Sequence, residues 1–297
     1  HRSNFMLPYT LGGDRRLRRY ASALDASTDY RVLRRLPRLE EMWMTSMPHG
    51  PDIRIGVIDI ETTGLAENAK IIEIALVKVS LIDGQLGDMS SPLSMFEDPG
   101  EPLADDIARL TGLSDLYLAG KRFDEELLAD QLDDVDVLLA FNASFDIPRL
   151  RRRFDWLDHP AVCAMRDYDW AGAGYEGRTQ RALLNHAGLF YSPHRAEIDT
   201  TALAVLISLP AADGRTIAAH IVDHGKRPRA RIAAHGAPIE IKNRLRERGY
   251  RWESDRRMWT IEVDPAAAAD EERALRTICQ LIRPQREVVD WYDRYSG

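Results

Sequence analysis

The run Ile53–Ile60 constrains the fold of this chain more than any other segment. It follows the breaker cluster Pro48-His-Gly-Pro51 at once, and Ile55-Gly-Val-Ile-Asp-Ile60 within it reads as a strand buried on both faces. Such a strand needs partners beside it and apolar layers above and below. Ile71 to Leu81 supplies a second strand, joined through the Gly64 turn region, and Pro92 to Phe96 a third. Val135 to Phe141 is the next buried strand. Helical spacing is seen around Ile107, Leu110 and Leu113, then over Phe123–Leu132, Phe145–Phe154, Thr179–Ala187 and Glu197–Ser208. Strands first, then strands alternating with helices, predict an α/β domain over residues 51–210, with a mixed central sheet flanked by helices.

The flanks differ from this body. Residues 1–50 read as an N-terminal helical extension, in which Val32, Leu33, Leu36 and Leu39 predict one or two amphipathic helices between Asp14 and Met47. Residues 211–231 read as a linker carrying a short helix, and 232–297 as a small basic α+β module with terminal helices. In that module Ile239–Arg248 predicts a helix capped by Gly249, Arg251–Val263 a β hairpin, and Ala266–Ile282 with Glu287–Tyr295 a helical pair broken at Pro284. The formal charge is −7, yet residues 225–260 hold eleven Lys/Arg against four Asp/Glu. A basic appendage therefore sits on an acidic body, and the net charge does not exclude a polyanionic partner.

Two cysteines, Cys163 and Cys279, provide neither a disulfide framework nor a structural zinc site. No apolar run approaches the roughly 20 residues that span a bilayer, and no basic-then-apolar leader opens the sequence, so a cytoplasmic protein with no membrane partner is expected.

The chemistry gathers at three acidic segments. Asp59-Ile-Glu61 closes the buried strand, and residues two apart on a strand project to one side, so both carboxylates enter one space. Divalent cations suit such a pair, although Asp-x-Glu alone is as readily a solvated strand end. Asn142-Ala-Ser-Phe-Asp146 lies where a strand turns into a helix, which also suits Asp146 as a helix-terminus partner. His194-Arg-Ala-Glu-Ile-Asp199 enters the apolar helix Thr200–Ile207, with Asp199 in its first turn and His194 on the loop before it. A histidine there can take a proton from water, or be an ordinary loop residue.

Together these segments resemble the DEDDh branch of the DEDD exonuclease superfamily, which includes the ε proofreading subunit of bacterial DNA polymerase III and RNase T-like enzymes. The resemblance covers about Ile53 to Ser208, with Asp59 and Glu61 in the first motif, Asp146 in the second, Asp199 in the third and His194 at the branch-defining histidine. One position departs: Phe141 stands where many ε-like members have His before the motif's Asn.

The resemblance implies a ribonuclease H-like fold and two-metal hydrolysis with Mg²⁺ or Mn²⁺, releasing nucleoside 5′-monophosphates from a 3′ end. It implies Asp59 bridging both ions, Glu61 and Asp199 completing one site, Asp146 serving the second and His194 as general base. Ile60, Thr62, Thr63, Leu65, Asn142 and Phe145 are the implied substrate contacts, with Leu65 as a wedge against the terminal base. The ε likeness favours single-stranded DNA and leaves open a polymerase or another replication or repair protein as partner. RNA trimming, or nucleic-acid binding without catalysis, are the alternatives. In the basic module Lys242, Arg244, Arg246 and Arg248, with Trp252 and Trp259, interleave cations and rings as single-stranded nucleic acid requires. The competing reading makes Leu245, Tyr250, Trp252 and Trp259 the core of a mini-domain.

Overall fold

The computed structural model describes residues 14–37, 52–253 and 256–295. The chain forms two compact units, the second beginning at Gly225. In the first, helix α1 (Arg15–Asp25) opens with its Asp14 carboxylate accepting from Arg16 N–H, and is followed by the short strand β1 (Arg34–Arg35). The central strand β2 (Ile53–Thr62) pairs antiparallel with β3 (Ile71–Ile82), which also pairs with β4 (Gln85–Met89) and β5 (Leu93–Phe96). Helices α2 (Asp105–Thr111), α3 (Asp115–Leu118) and α4 (Glu125–Leu132) lead to β6 (Val137–Ala140), parallel to β2. Helix α5 (Ala143–Arg153) returns the chain to β7 (Ala161–Cys163), parallel to β6. Then come α6 (Gln180–His186), β8 (Leu189–Phe190), α7 (Ala196–Ser208) and α8 (Ile217–Lys226).

The strand order β4-β3-β2-β6-β7, with β5 also on β3, makes the mixed sheet expected from the sequence. Strand β2 is paired on both sides, and Ile55, Val57 and Ile58 are wholly buried, because α7 packs on β2 and β3 while α5 packs on β6 and β7. Burying each such side chain stabilises the sheet by about 1.5–3 kcal/mol.

Three expectations need correction. The apolar residues Val32, Leu33 and Leu36 do not form a helix: β1 runs among them and pairs in parallel with β8, Arg34 N–H donating to Gly188 O and Leu36 N–H to Phe190 O. Leu39 and the rest of the predicted N-terminal helices lie outside the described residues. Residues 211–231, expected as a linker carrying a short helix, hold that helix as α8, but its Ile217, Ala218, Ala219, Ile221 and Val222 are buried, so the segment is packed rather than a free connection. Glu287–Tyr295 is not a helix: a strand over Arg283–Val289 takes its first part, and turns take the rest.

The second unit runs β9 (Arg229–His235), a 3₁₀ turn at Ile239–Ile241, α9 (Lys242–Glu247), β10 (Arg251–Glu253), β11 (Met258–Val263), α10 (Ala268–Ile278) and β12 (Arg283–Val289). The antiparallel order β10-β11-β9-β12 on this β-α-β-β-α-β path is a split βαβ arrangement. Strand β12 pairs along all of β9, and Pro284 is tolerated there because β12 is an edge strand. The core joins Ala230, Ile232, Ala234 and Trp259 of the sheet to Leu245, Ala268 and Leu275 of the helices. No helix among the described residues is long and apolar enough to cross a membrane.

Helix α9 ends as the sequence predicts: Gly249 takes φ 96°, and Tyr250 N–H donates to Leu245 O at 2.9 Å. An added Cβ would meet nothing closer than Ile261 Cδ1 at 3.5 Å, so the backbone alone demands glycine. Gly249→Ala is expected to cost about 1–3 kcal/mol from this strain. In urea titration the midpoint of the transition reporting the second unit should fall with its slope unchanged.

Candidate active site

Strand β2 carries Asp59 and Glu61 to its end with their neighbours Ile58 and Ile60 buried, so the two acids share the opposite side. Asp199, in the first turn of α7, joins them: one carboxylate oxygen from each of Asp59, Glu61 and Asp199 lies within 4.8 Å of the others, all three half-buried. Asp146, in the first turn of α5, is 3% exposed and accepts from Ile60 N–H, which ties the second acidic segment to the first. It is not part of the tight triad, but its charge is the strongest acting on Asp59.

Burial shifts all four acids upward, and repulsion from neighbouring acids adds to it at Asp59 and Glu61. Asp59 is raised well above the usual carboxylate range by burial, then by Asp146, Asp199, Glu61 and Glu73. Burial, followed by Asp199 and Glu73, pushes Glu61 up to about 8, with Arg195 opposing. Burial pushes Asp146 up to about 7 against the Ile60 N–H. Asp199 is raised less freely, because it accepts from Tyr191 Oη at 2.9 Å, His194 N–H at 2.6 Å and Arg195 N–H at 3.2 Å. Converging carboxylates that resist ionising together are a donor set that a hard divalent cation relieves, so the residues present fit such an ion.

His194 is exposed beside Asp199 with φ 75°, a left-handed conformation costly for a residue with a Cβ. Its N–H is committed to Asp199, which leaves the imidazole at the rim. The Thr62–Lys70 turn is closed on itself: Thr62 Oγ1 donates to Gly64 O at 2.6 Å, and Thr63 Oγ1 accepts from Lys70 N–H at 3.1 Å. Leu65 is 87% exposed at its tip, whereas Ile60 and Thr62 are buried. Asn142 precedes α5 without capping it through its side chain, and the Phe145 ring lies under the Arg149 guanidinium at 3.8 Å.

Several residues that organise this site are not among those expected from sequence. Arg149 donates to Leu65 O at 2.9 Å and to Ala66 O at 3.0 Å, anchoring the exposed turn to α5. Gln180 donates to Tyr191 Oη at 3.2 Å and to Asp199 O at 2.8 Å, fixing the tyrosine that holds Asp199. Glu73 is wholly buried opposite Glu61 on β3 and accepts from Arg195 Nε at 3.1 Å. An acid inside the apolar run Ile71-Ile-Glu-Ile-Ala75 was the one available sequence signal, because a buried charge requires a partner.

The basic module arranges its expected contacts differently. Trp259 is 8% exposed and belongs to the core, which corrects its reading as a stacking surface; Trp252, 50% exposed, packs edge-on against it at 5.6 Å. Arg248 pairs with Glu271 at 2.7 Å, and Arg244 donates to Ile278 O at 3.2 Å. Lys242 and Arg246 are exposed, the latter 5.4 Å from the Trp259 ring.

Among proteins of known identity, PolC-type DNA polymerase III of Halalkalibacterium halodurans is 41% identical over 107 residues, 35% of this chain and 7% of that protein. The Streptococcus suis protein of the same name is 36% identical over 109 residues, again 7% of its length. The chain thus spans a small part of these relatives. Among solved structures, exonuclease X in complex with 5′-overhanging duplex DNA aligns at 26% identity and TM-score 0.40, covering 52% of this chain and 89% of that one. A 3′-exonuclease bound to histone mRNA stem-loop aligns at 16% identity and TM-score 0.41, covering 55% and 87%. The family whose description is exonuclease, typified by RNase T, matches residues 57–207, from the strand bearing Asp59 and Glu61 to the helix bearing Asp199. With that match over just over half of its length, the chain belongs to the RNase T-type, DEDDh family of 3′→5′ exonucleases.

Proposed function

We propose that this enzyme removes nucleotides from the 3′ end of single-stranded DNA as 5′-monophosphates, with a histidine general base. The observation that carries this reading is the convergence of Asp59, Glu61 and Asp199 within 4.8 Å beside a strained His194. Two divalent ions, Mg²⁺ or Mn²⁺, held by Asp59, Glu61 and Asp199 with Asp146 serving the second, would stabilise the charge on the entering and leaving oxygens. Asp199 keeps its orientation through Tyr191 and the His194 and Arg195 N–H groups. His194, on the loop so fixed, takes the proton of the attacking water at its imidazole nitrogen. Leu65 wedges against the terminal base, the backbone of Ile60 and of the Thr62-Thr63 turn lies against the terminal nucleotide, and Asn142 and Phe145 meet the next residue of the strand.

The preference for DNA rests on the replicative polymerases named among the relatives. A polymerase or other replication protein is the corresponding partner. Digestion of end-labelled single-stranded DNA, duplex DNA and RNA side by side, with Mg²⁺, Mn²⁺ or chelator, tests the reading. Faster release from RNA would make the protein a trimming exoribonuclease. Of the four cations of the second unit expected to meet phosphate, Lys242 and Arg246 are exposed, and their side chains make neither an ion pair nor a hydrogen bond among the described residues. Replacing both by Ala should reduce the log-log salt slope of single-strand binding by roughly 0.7 for each lost contact.

Asp59→Ala or Asp199→Ala should abolish nucleotide release while leaving the protein folded by circular dichroism. His194→Ala should lower kcat by about 10²- to 10⁴-fold with little change in substrate Kd. A wild-type rate in that variant would assign the proton transfer to another group.

The crowded acids also set a pH dependence. Glu61 is pushed up to about 8 and Asp146 to about 7, above their unfolded values, so folding takes up protons. Their contribution to stability is fully present below the unfolded carboxylate range and is lost as pH rises through about 7 to 8. In chelator the Tm should therefore fall between pH 6 and pH 9 (about the titration window of such groups), and saturating Mg²⁺ should flatten the fall.

A further inference from the structure

Beyond the acids, the first unit places two aromatic rings and two cations in one strip. Glu61, Glu73 and Phe96 are successive cross-strand partners on β2, β3 and β5. Two strand spacings put Phe96 about 10 Å from Glu61, the length of up to three stacked nucleotides at about 3.4 Å each. Phe96 is seated on Ile72, Leu103, Leu113 and Leu118, which fixes its position. Tyr117 of α3 meets it edge-on, with centroids 5.1 Å apart and planes at 89°. The Arg195 guanidinium lies 5.6 Å from the Phe96 centroid, held there by Glu73. The Lys121 ammonium lies 4.9 Å from Phe96 and 3.3 Å from Tyr117.

Packing alone does not account for this strip. Tyr117 is 45% exposed and the adjacent Leu116 is 89% exposed, so α3 anchors in the core through Leu118 while it presents one ring and one leucine outward. Lys121 makes no ion pair among the described residues, and its charge is met only by the ring faces. Rings that bases can stack on, flanked by cations that phosphates can meet, form the pattern by which single strands are held without sequence preference.

We propose that Arg195, Phe96, Tyr117 and Lys121 form a subsite for the nucleotides that follow the cleaved one in a single-stranded substrate. A base stacks on the outward face of Tyr117, supported by Phe96, while Lys121 contacts a phosphate beside it and Arg195, held by Glu73, borders Phe96 on the side of the acids. The inference rests on the exonuclease reading above and adds to it a dependence on strand length. A mononucleotide substrate ends short of the strip; a longer strand crosses it.

The test compares the p-nitrophenyl ester of thymidine 5′-monophosphate with a single-stranded oligonucleotide decamer, in Mn²⁺, using the full chain. Tyr117→Leu should raise KM on the decamer by roughly 5- to 150-fold, the span of one lost base stack, with kcat/KM on the ester unchanged. Tyr117→Phe, which keeps the ring, should behave as wild type on both. Lys121→Gln should reduce the log-log salt slope of decamer binding by roughly 0.7. Equal losses on ester and decamer in Tyr117→Leu, or no loss on the decamer in either Tyr117→Leu or Lys121→Gln, would overturn the subsite. A wild-type protein inert on both substrates would instead overturn the exonuclease reading beneath it.

Discussion

The structure depends on holding carboxylates of like charge together at the end of one strand. Asp59 and Glu61 cannot relax apart, because β2 is paired along its length to β3 and along its middle to β6, and its apolar residues are locked under α7. Each acid is shifted upward first by burial and only then by its neighbours, so the apolar framework is the source of the strain as well as its support. A looser sheet would let the side chains swing into water, and the site would lose both its repulsion and its affinity for cations.

The four acids are not equivalent, and the difference lies in the donors supplied to each. Asp199 has a hydroxyl and two backbone N–H groups around it, and Asp146 has the Ile60 N–H, whereas the forces acting on Asp59 are all repulsive. Asp59 is thus the group whose charge a cation would relieve most. Glu73 adds a fifth carboxylate nearby but is neutralised by Arg195, so it turns a potential competitor for cations into an anchor for the segment that carries His194. Charge and loop geometry are solved by one pair.

Much of this was legible in the sequence, for reasons that differ by residue. Asp59 and Glu61 could be read from strand periodicity, and Asp146 and Asp199 from helix starts, because local structure fixes where those side chains emerge. Gly249 was legible for the same reason. Arg149, Gln180 and Tyr191 were not: their partners lie far along the chain, and no local pattern encodes a hydrogen bond from α5 to the turn at Leu65. The strands β1 and β8 are two residues long and exist only through their mutual pairing, so the apolar residues around β1 mimicked a helix. At β12 the segment from Glu287 onward read as the second helix of a pair broken at Pro284, whereas the free edge of β9 decided the outcome.

The basic module shows where composition fails as a guide. Cations interleaved with rings describe both a stacking surface and a small core wrapped in ion pairs, and only register separates the two. Trp252 pairs with Trp259, and Trp259 belongs to the core shared with Leu245 and Leu275, so both rings lie on the helix side of that sheet. On the other side the row Glu262, Arg231, Glu287 is joined by ion pairs, and Arg294 adds a further bond to Glu262. Those arginines neutralise carboxylates of their own unit, which lowers the charge they can offer a phosphate. In the first unit the same residue types do the opposite: Tyr117 is outward and Lys121 faces rings rather than acids. Partner chemistry is therefore better judged from what each cation already touches than from how many cations a segment contains.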